Sequence, residues 1–214
     1  MKAPNAIFFD WDGTLVDTIE GIIAYNNMTR AHYGMPPINA QILKEIMAQS
    51  AREYYRDTFG EKADEALAIH RNFVHEHHLN YIKEFLGVWD LFEFLKSKKI
   101  YTGVVSNKQT NTLQKEIHFL GWGNLFDVVV GAGEAMRDKP SPDPLLLAAQ
   151  KLALNPETSE LWYVGDTVTD MKAANSAGFK AIYIEHGFDE PHEIEAYDPL
   201  FTVKDLIALK AKLA

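Results

Sequence analysis

Five short, almost uninterrupted apolar runs recur along the chain with amphipathic stretches between them. They are Ala6 to Trp11, Ile100 to Val105, Asp127 to Val130, Glu160 to Val164 and Phe179 to Ile184. Runs of this length without strict alternation suit strands covered on both faces. The intervening pattern is helical. Val88, Leu91, Phe92 and Leu95 form one stripe of a helix over Gly87 to Lys98. Asp143-Pro144 reads as an N-cap followed by proline at the first helical position, opening a helix through Leu146, Leu147, Gln150 and Lys151. Strands alternating with helices in this way predict βαβ units and a parallel sheet.

Roughly ninety residues separate the first two strand signals, too many for a single crossover helix. That stretch reads as several helices. Asp17-Thr18-Ile19-Glu20 has capping-box spacing, and the helix it opens stops at Gly34, before Pro36-Pro37. A second follows Asn39, with Ile42, Leu43, Ile46 and Met47 on one face, and Ser50-Ala51-Arg52-Glu53 is a further capping box. A longer helix is predicted from about Lys62 to Leu79. The fold class expected is therefore α/β: a doubly wound parallel-sheet core of residues 1–16 and 86–214, with an α-helical cap of residues 17–85 inserted after the first strand.

Composition narrows the function. In 214 residues, 47% are hydrophobic and the formal net charge is −9. The longest basic cluster, Lys96-Ser97-Lys98-Lys99, falls at a predicted helix end, where cations suit the macrodipole. Nucleic acid is thus not an expected partner. No apolar run approaches the ~18 residues of a membrane span, and the run after Met1-Lys2-Ala3-Pro4 is too short for a signal peptide. With no cysteine there are no disulfides and no thiolate site, which suits a cytoplasmic location.

In open parallel sheets, ligands bind beyond the carboxyl ends of the strands, where strand order reverses. The first run ends in Asp10-Trp11-Asp12-Gly13-Thr14, the second in Ser106-Asn107 and the fourth in Gly165-Asp166, with Asp170 soon after. Lys139 precedes the helix leading to the fourth. Crowded carboxylates repel one another unless a cation holds them, and oxygen ligands without His or Cys favour Mg²⁺. Asp10 and Asp12, two apart, share a strand face. The first can attack phosphorus, and the second can protonate the leaving oxygen and later activate water.

Asp10-Trp11-Asp12-Gly13-Thr14-Leu15-Val16 resembles the first motif of the haloacid dehalogenase-like phosphatases. Val104 to Lys108 resembles their second, Lys139-Pro140-Ser141-Pro142 their third and Gly165 to Asp170 their fourth. The likeness spans nearly the whole chain and is strongest to the phosphoglycolate phosphatase-like group, whose members carry a small helical cap. The resemblance implies that Asp10 is the nucleophile and a metal ligand. It implies that Asp12 is the general acid/base, with its carbonyl on the metal. Thr14, Ser106 and Asn107 would hold phosphate, Lys139 would neutralise it, and Asp166 and Asp170 would serve Mg²⁺. It implies a small phosphorylated metabolite as substrate and a monomer or homodimer. Trp11 departs from the smaller apolar residue usual in that motif, and its side chain is expected to pack in the core.

Other residues carry weaker signals. Arg52, beside the Ser50 capping box, is placed to read a carboxylate or second phosphate, or else stands as an exposed arginine. The His75-Glu76-His77-His78 run reads as an exposed polar helix face, because His77 does not share a face with His75 and His78. His186 and His192 follow the last strand on the side of the site. Gly131-Ala132-Gly133 lacks the third glycine of a dinucleotide loop. Two alternatives to a phosphatase stay open: a mutase resembling β-phosphoglucomutase, and a catalytically silent binding module on the same fold.

Overall fold

The computed structural model describes residues 3–47, 49–187 and 189–214. Met1 and Lys2, which begin the N-terminal stretch considered above, lie outside the described residues. The chain opens with strand β1 (Ala6–Phe9) and a two-residue strand β2 (Val16–Asp17). Four helices follow: α1 (Ile19–His32), α2 (Ala40–Met47), α3 (Ala51–Phe59) and α4 (Ala63–His77), with single 3₁₀ turns at Gly60–Lys62 and His78–Asn80. Then come β3 (Lys83–Glu84), α5 (Val88–Ser97), β4 (Tyr101–Gln109), α6 (Thr110–Phe119), β5 (Val128–Ala132) and α7 (Asp143–Lys151). The chain closes with β6 (Leu161–Gly165), α8 (Val168–Ala177), β7 (Lys180–Ile184), α9 (Pro191–Glu195), β8 (Phe201–Val203) and α10 (Leu206–Leu213).

Six strands form one parallel sheet in the order β5-β4-β1-β6-β7-β8. The order reverses between β1 and β6, so the loops after those two strands flank the crevice that a doubly wound sheet offers a ligand. Alternation along β1 sends Ile7 and Phe9 to one face, against α5, α6 and α10. Ala6 and Phe8 go to the other, against α7 and α8. All four are fully buried, as continuous apolar strands require. The α5 stripe of Val88, Leu91, Phe92 and Leu95 is buried as its spacing predicts.

Register along β4 breaks where chemistry is needed. Val105 pairs with Val130 and Gln109 with Ala132, so four steps along β4 match two along β5. Ser106, Asn107 and Lys108 fall in that irregularity, and such bulges re-aim side chains beside a site.

Several local expectations need correction. The stretch between the first two predicted strands does hold strands: β2 pairs antiparallel with β3, forming a ribbon on either side of α1 to α4. With two residues each, they are too short to show a period. β8 lies beyond the five apolar runs and adds a sixth strand to the sheet. Asp143 is the first residue of α7 rather than its cap, and Leu145, Ala148 and Ala149 are buried while Leu146 is exposed. At the start of α1 no capping box forms. Asp17 Oδ1 instead accepts from Ile19 N at 3.1 Å, and the Thr18 hydroxyl turns away to Asp12. The Ser50 capping box and the Asn39 cap are both present. The inserted helices have a small core of their own, Tyr54, Tyr55, Ala66 and Leu67.

Candidate active site

Asp10 follows β1 directly, and Asp166 follows β6. Lys139 arrives from the loop after β5, and Asp170 lies in the first turn of α8. Lys139 Nζ stands 2.8 Å from Asp10 Oδ1, 2.7 Å from Asp170 Oδ1 and 2.8 Å from the Tyr163 hydroxyl. That hydroxyl donates to the Val105 carbonyl at 2.8 Å. Asp170 completes a capping box with Thr167, so the fold that starts α8 also fixes this acid. A Cβ at Gly13 would collide with the Asp166 carboxylate, and Gly13 has φ of +80°. Only glycine fits there readily.

Three carboxylates thus crowd together in a dry place, and one ammonium pairs with two of them, Asp10 and Asp170. Burial is the chief force on Asp10; outweighing the attraction of Lys139 and joined by repulsion from Asp170, it pushes its carboxyl up to about 7. Burial and the charges of Asp170 and Asp10 hold Asp166 well above the usual range. Asp166 Oδ1 accepts from Thr14 at 2.9 Å, but its buried Oδ2 has no hydrogen-bond partner among the described residues. Oxygens of Asp10, Asp166 and Asp170 lie within 4.8 Å of one another. An orphaned carboxylate oxygen inside an all-oxygen cluster with excess negative charge fits a hard divalent cation.

A second network lies alongside. Asp12 Oδ1 accepts from Thr18 Oγ1 at 2.5 Å and from Lys108 Nζ at 2.7 Å. The same ammonium reaches both oxygens of Glu116, at 2.8 and 3.0 Å. Glu116 also accepts from the Trp11 indole at 2.6 Å, and His78 Nδ1 lies 2.9 Å from it. Burial tends to raise Glu116, but the Lys108 charge and the donors around it prevail and hold its carboxyl below the usual range. Burial opposes charge on Lys108 too, yet Asp12 and Glu116 keep it above the ordinary lysine range.

Asp10, Asp12, Ser106, Asn107, Lys139 and Asp170 all line one cavity of about 260 Å³. Its far wall comes from the inserted helices and includes Arg52, His70 and Arg71. Arg71 is an unanticipated member: burial lowers its guanidinium, and the positive charge of Arg52 lowers it further. Burial also holds the His70 ring neutral, pushed down to about 4.

Several candidates sit differently from their expected places. Thr14 is fully buried and holds Asp166 rather than facing the cavity. Both ends of the Asn107 amide are committed to the Lys139 backbone. His78 is buried on Glu116, not exposed, whereas His75 contacts Lys115 at the surface. Trp11 packs edge-on against Trp122 as a core residue should, yet its indole N–H serves the polar network. His186 lies 3.1 Å from the Gly13 carbonyl and stacks on Phe85, and His192 is exposed on α9. Glu116 gave no sequence signal beyond its position on a helix after the second motif.

The chain is similar to known proteins over nearly its whole length. A family model described as haloacid dehalogenase-like hydrolase matches residues 7–184. The chain is 31% identical to pyrophosphatase PpaX of Bacillus velezensis, over 96% of this chain and 94% of that one. It is 29% identical to N-acetylmuramic acid 6-phosphate phosphatase of Pseudomonas aeruginosa, over 90% of this chain and 87% of that protein. A solved structure of a haloacid dehalogenase-like hydrolase from Streptococcus pneumoniae superposes with a TM-score of 0.87 at 26% identity, covering 99% of each chain.

Proposed function

The chain belongs to the haloacid dehalogenase-like hydrolase family, and on that footing we propose that it is a magnesium-dependent phosphatase that hydrolyses a small-metabolite phosphomonoester through a phosphoryl group carried on Asp10. The observation that carries this reading is the pairing of Asp10 with Lys139 at the sheet's switch point, with Asp12 opening onto the same cavity.

Asp10, Asp166 and Asp170, with the Asp12 carbonyl, would hold the magnesium ion. When bound, the ion screens the phosphate's negative charge from the attacking carboxylate. Asp10 forms a bond to phosphorus as the ester P–O bond breaks. The electron pair passes to the leaving oxygen, which takes a proton from Asp12. Asp12 then removes a proton from water, whose oxygen displaces Asp10 and releases phosphate. Lys139 offsets the charge that collects on Asp10 and the phosphoryl oxygens. Ser106 supplies a hydroxyl to those oxygens. Asn107 acts one step back, by holding Lys139. Residues 17–85 act as a cap over the core of residues 1–16 and 86–214.

The cap side of the cavity favours a substrate whose leaving group is itself anionic. Arg52 and Arg71 both line it, and no acid among the described residues forms an ion pair with either. Phosphoglycolate fits this description, as do other small esters bearing a carboxylate or second phosphate. The relatives' names support phosphate chemistry on small substrates: pyrophosphate in one, a sugar phosphate in the other.

The test is phosphate release from a panel of phosphorylated metabolites with added Mg²⁺, run in ¹⁸O-labelled water. One labelled oxygen should enter each phosphate released. Conversion of β-glucose 1-phosphate to glucose 6-phosphate with negligible phosphate release would replace this reading with a mutase. No turnover of any ester would leave a binding module.

A further inference from the structure

Glu116 is 1% exposed on α6, and three side chains from separate parts of the chain converge on its carboxylate. Trp11 comes from the turn after β1, Lys108 from the irregular end of β4, and His78 from the last turn of the inserted helices. A buried ion pair is poor evidence of stability, since apolar residues of similar volume often do as well. What Glu116 provides is geometric: it fixes an otherwise flexible ammonium in one place.

That ammonium has one further contact. Lys108 Nζ lies 2.7 Å from Asp12 Oδ1, the same oxygen that accepts from Thr18. Two donors therefore pin Oδ1, and no described residue is hydrogen-bonded to Oδ2. A carboxylate held by one oxygen presents the other in a defined direction, which proton transfer needs.

We propose that Glu116 is a positioning residue for proton transfer: it anchors Lys108, Lys108 anchors Asp12 Oδ1, and Asp12 Oδ2 is thereby aimed at the leaving oxygen. The proposal rests on the phosphatase reading above. Trp11 and His78 complete the set of donors around Glu116, and through His78 the seating of the inserted helices bears on the acid/base.

Leaving-group dependence separates this role from a merely structural one. An alkoxide must be protonated as it departs, whereas p-nitrophenolate is a stable anion that leaves without a proton. kcat/KM reports the steps through transfer to Asp10, so it isolates the protonation event. Glu116→Gln keeps the shape of the side chain and removes its charge. The expected result is a fall in kcat/KM on glycerol 3-phosphate about tenfold larger than the fall on p-nitrophenyl phosphate. In a Lys108→Met background, Glu116→Gln should add no further selectivity. Trp11→Phe, which removes one hydrogen bond and keeps an aromatic ring, should shift the ratio in the same direction by less, and covers the case where E116Q does not fold. Equal losses on both esters, or an undiminished E116Q effect without Lys108, would overturn the positioning role while leaving the phosphatase intact. If the wild-type protein turns over no phosphate ester of the panel above, the phosphatase reading fails first, and the positioning role with it.

Discussion

Asn107 and Lys139 clasp each other through a reciprocal pair of hydrogen bonds. The Lys139 N–H donates to Asn107 Oδ1, and Asn107 Nδ2 donates to the Lys139 carbonyl, both at 2.9 Å. The end of β4 thereby fixes the backbone of a lysine that arrives on a separate loop. An amide supplies a donor and an acceptor at this spacing, which an ionised carboxylate of the same size does not. Asn107→Asp keeps the size but turns an N–H donor into a carboxylate oxygen facing a carbonyl. It should destabilise the protein by about 1–3 kcal/mol and lower kcat with KM less affected. Denaturant unfolding and steady-state kinetics would check both, and unchanged stability would remove the clasp from the account.

Asp10→Asn replaces a nucleophilic carboxylate with an amide and removes one of three crowded charges. Turnover should fall on the order of 10⁴-fold or more. The fold should survive, because Lys139 keeps its contact with Asp170. Circular dichroism with a phosphate-release assay decides this. A folded variant retaining a tenth of wild-type activity would show that phosphorus is attacked by something else.

Asp10 and Asp166 have pKa values above those of free carboxyls, so in the metal-free protein the native state binds more protons than the unfolded chain. Their contribution to stability therefore falls as pH rises from about 4 towards 7 and beyond. A bound cation reverses the penalty by stabilising the ionised acids. The rise in melting temperature on adding Mg²⁺ should accordingly be small near about pH 5 and larger near about pH 8. A rise independent of pH, or one retained by Asp166→Asn, would place the metal elsewhere.

Arg52 and Arg71 should matter only to substrates that carry a second charge. Arg52→Ala and Arg71→Ala are each expected to raise KM for phosphoglycolate by roughly tenfold, the loss of one charge-assisted contact. Their effect on p-nitrophenyl phosphate should be slight. A comparable loss on both substrates would mean that these arginines support the cavity wall rather than read the leaving group.

Much of this protein is written locally. Short continuous apolar runs read as strands covered on both faces, and β1, β4, β5, β6 and β7 lie where those runs lie. Acids just beyond two strand ends, with a lysine in a loop before a helix, pointed to one edge, because a doubly wound sheet has one such edge. Cap chemistry confined to four consecutive residues, as at Ser50, was equally legible. What the sequence left open was decided across the fold. Asp17 had the spacing of a capping box with Glu20, yet Thr18 stands at the cap and its hydroxyl bonds Asp12, since a hydroxyl at a helix end takes whichever acceptor the tertiary structure presents. Asn107 resembled a phosphate ligand, but its amide is spent on a backbone that is neighbour only in space. Trp11 and His78 looked like packing and surface. Glu116, 105 residues from one and 38 from the other, makes both part of a polar network. Hydrophobic burial follows from local periodicity, whereas a buried polar group must find its partner wherever the folded chain brings one.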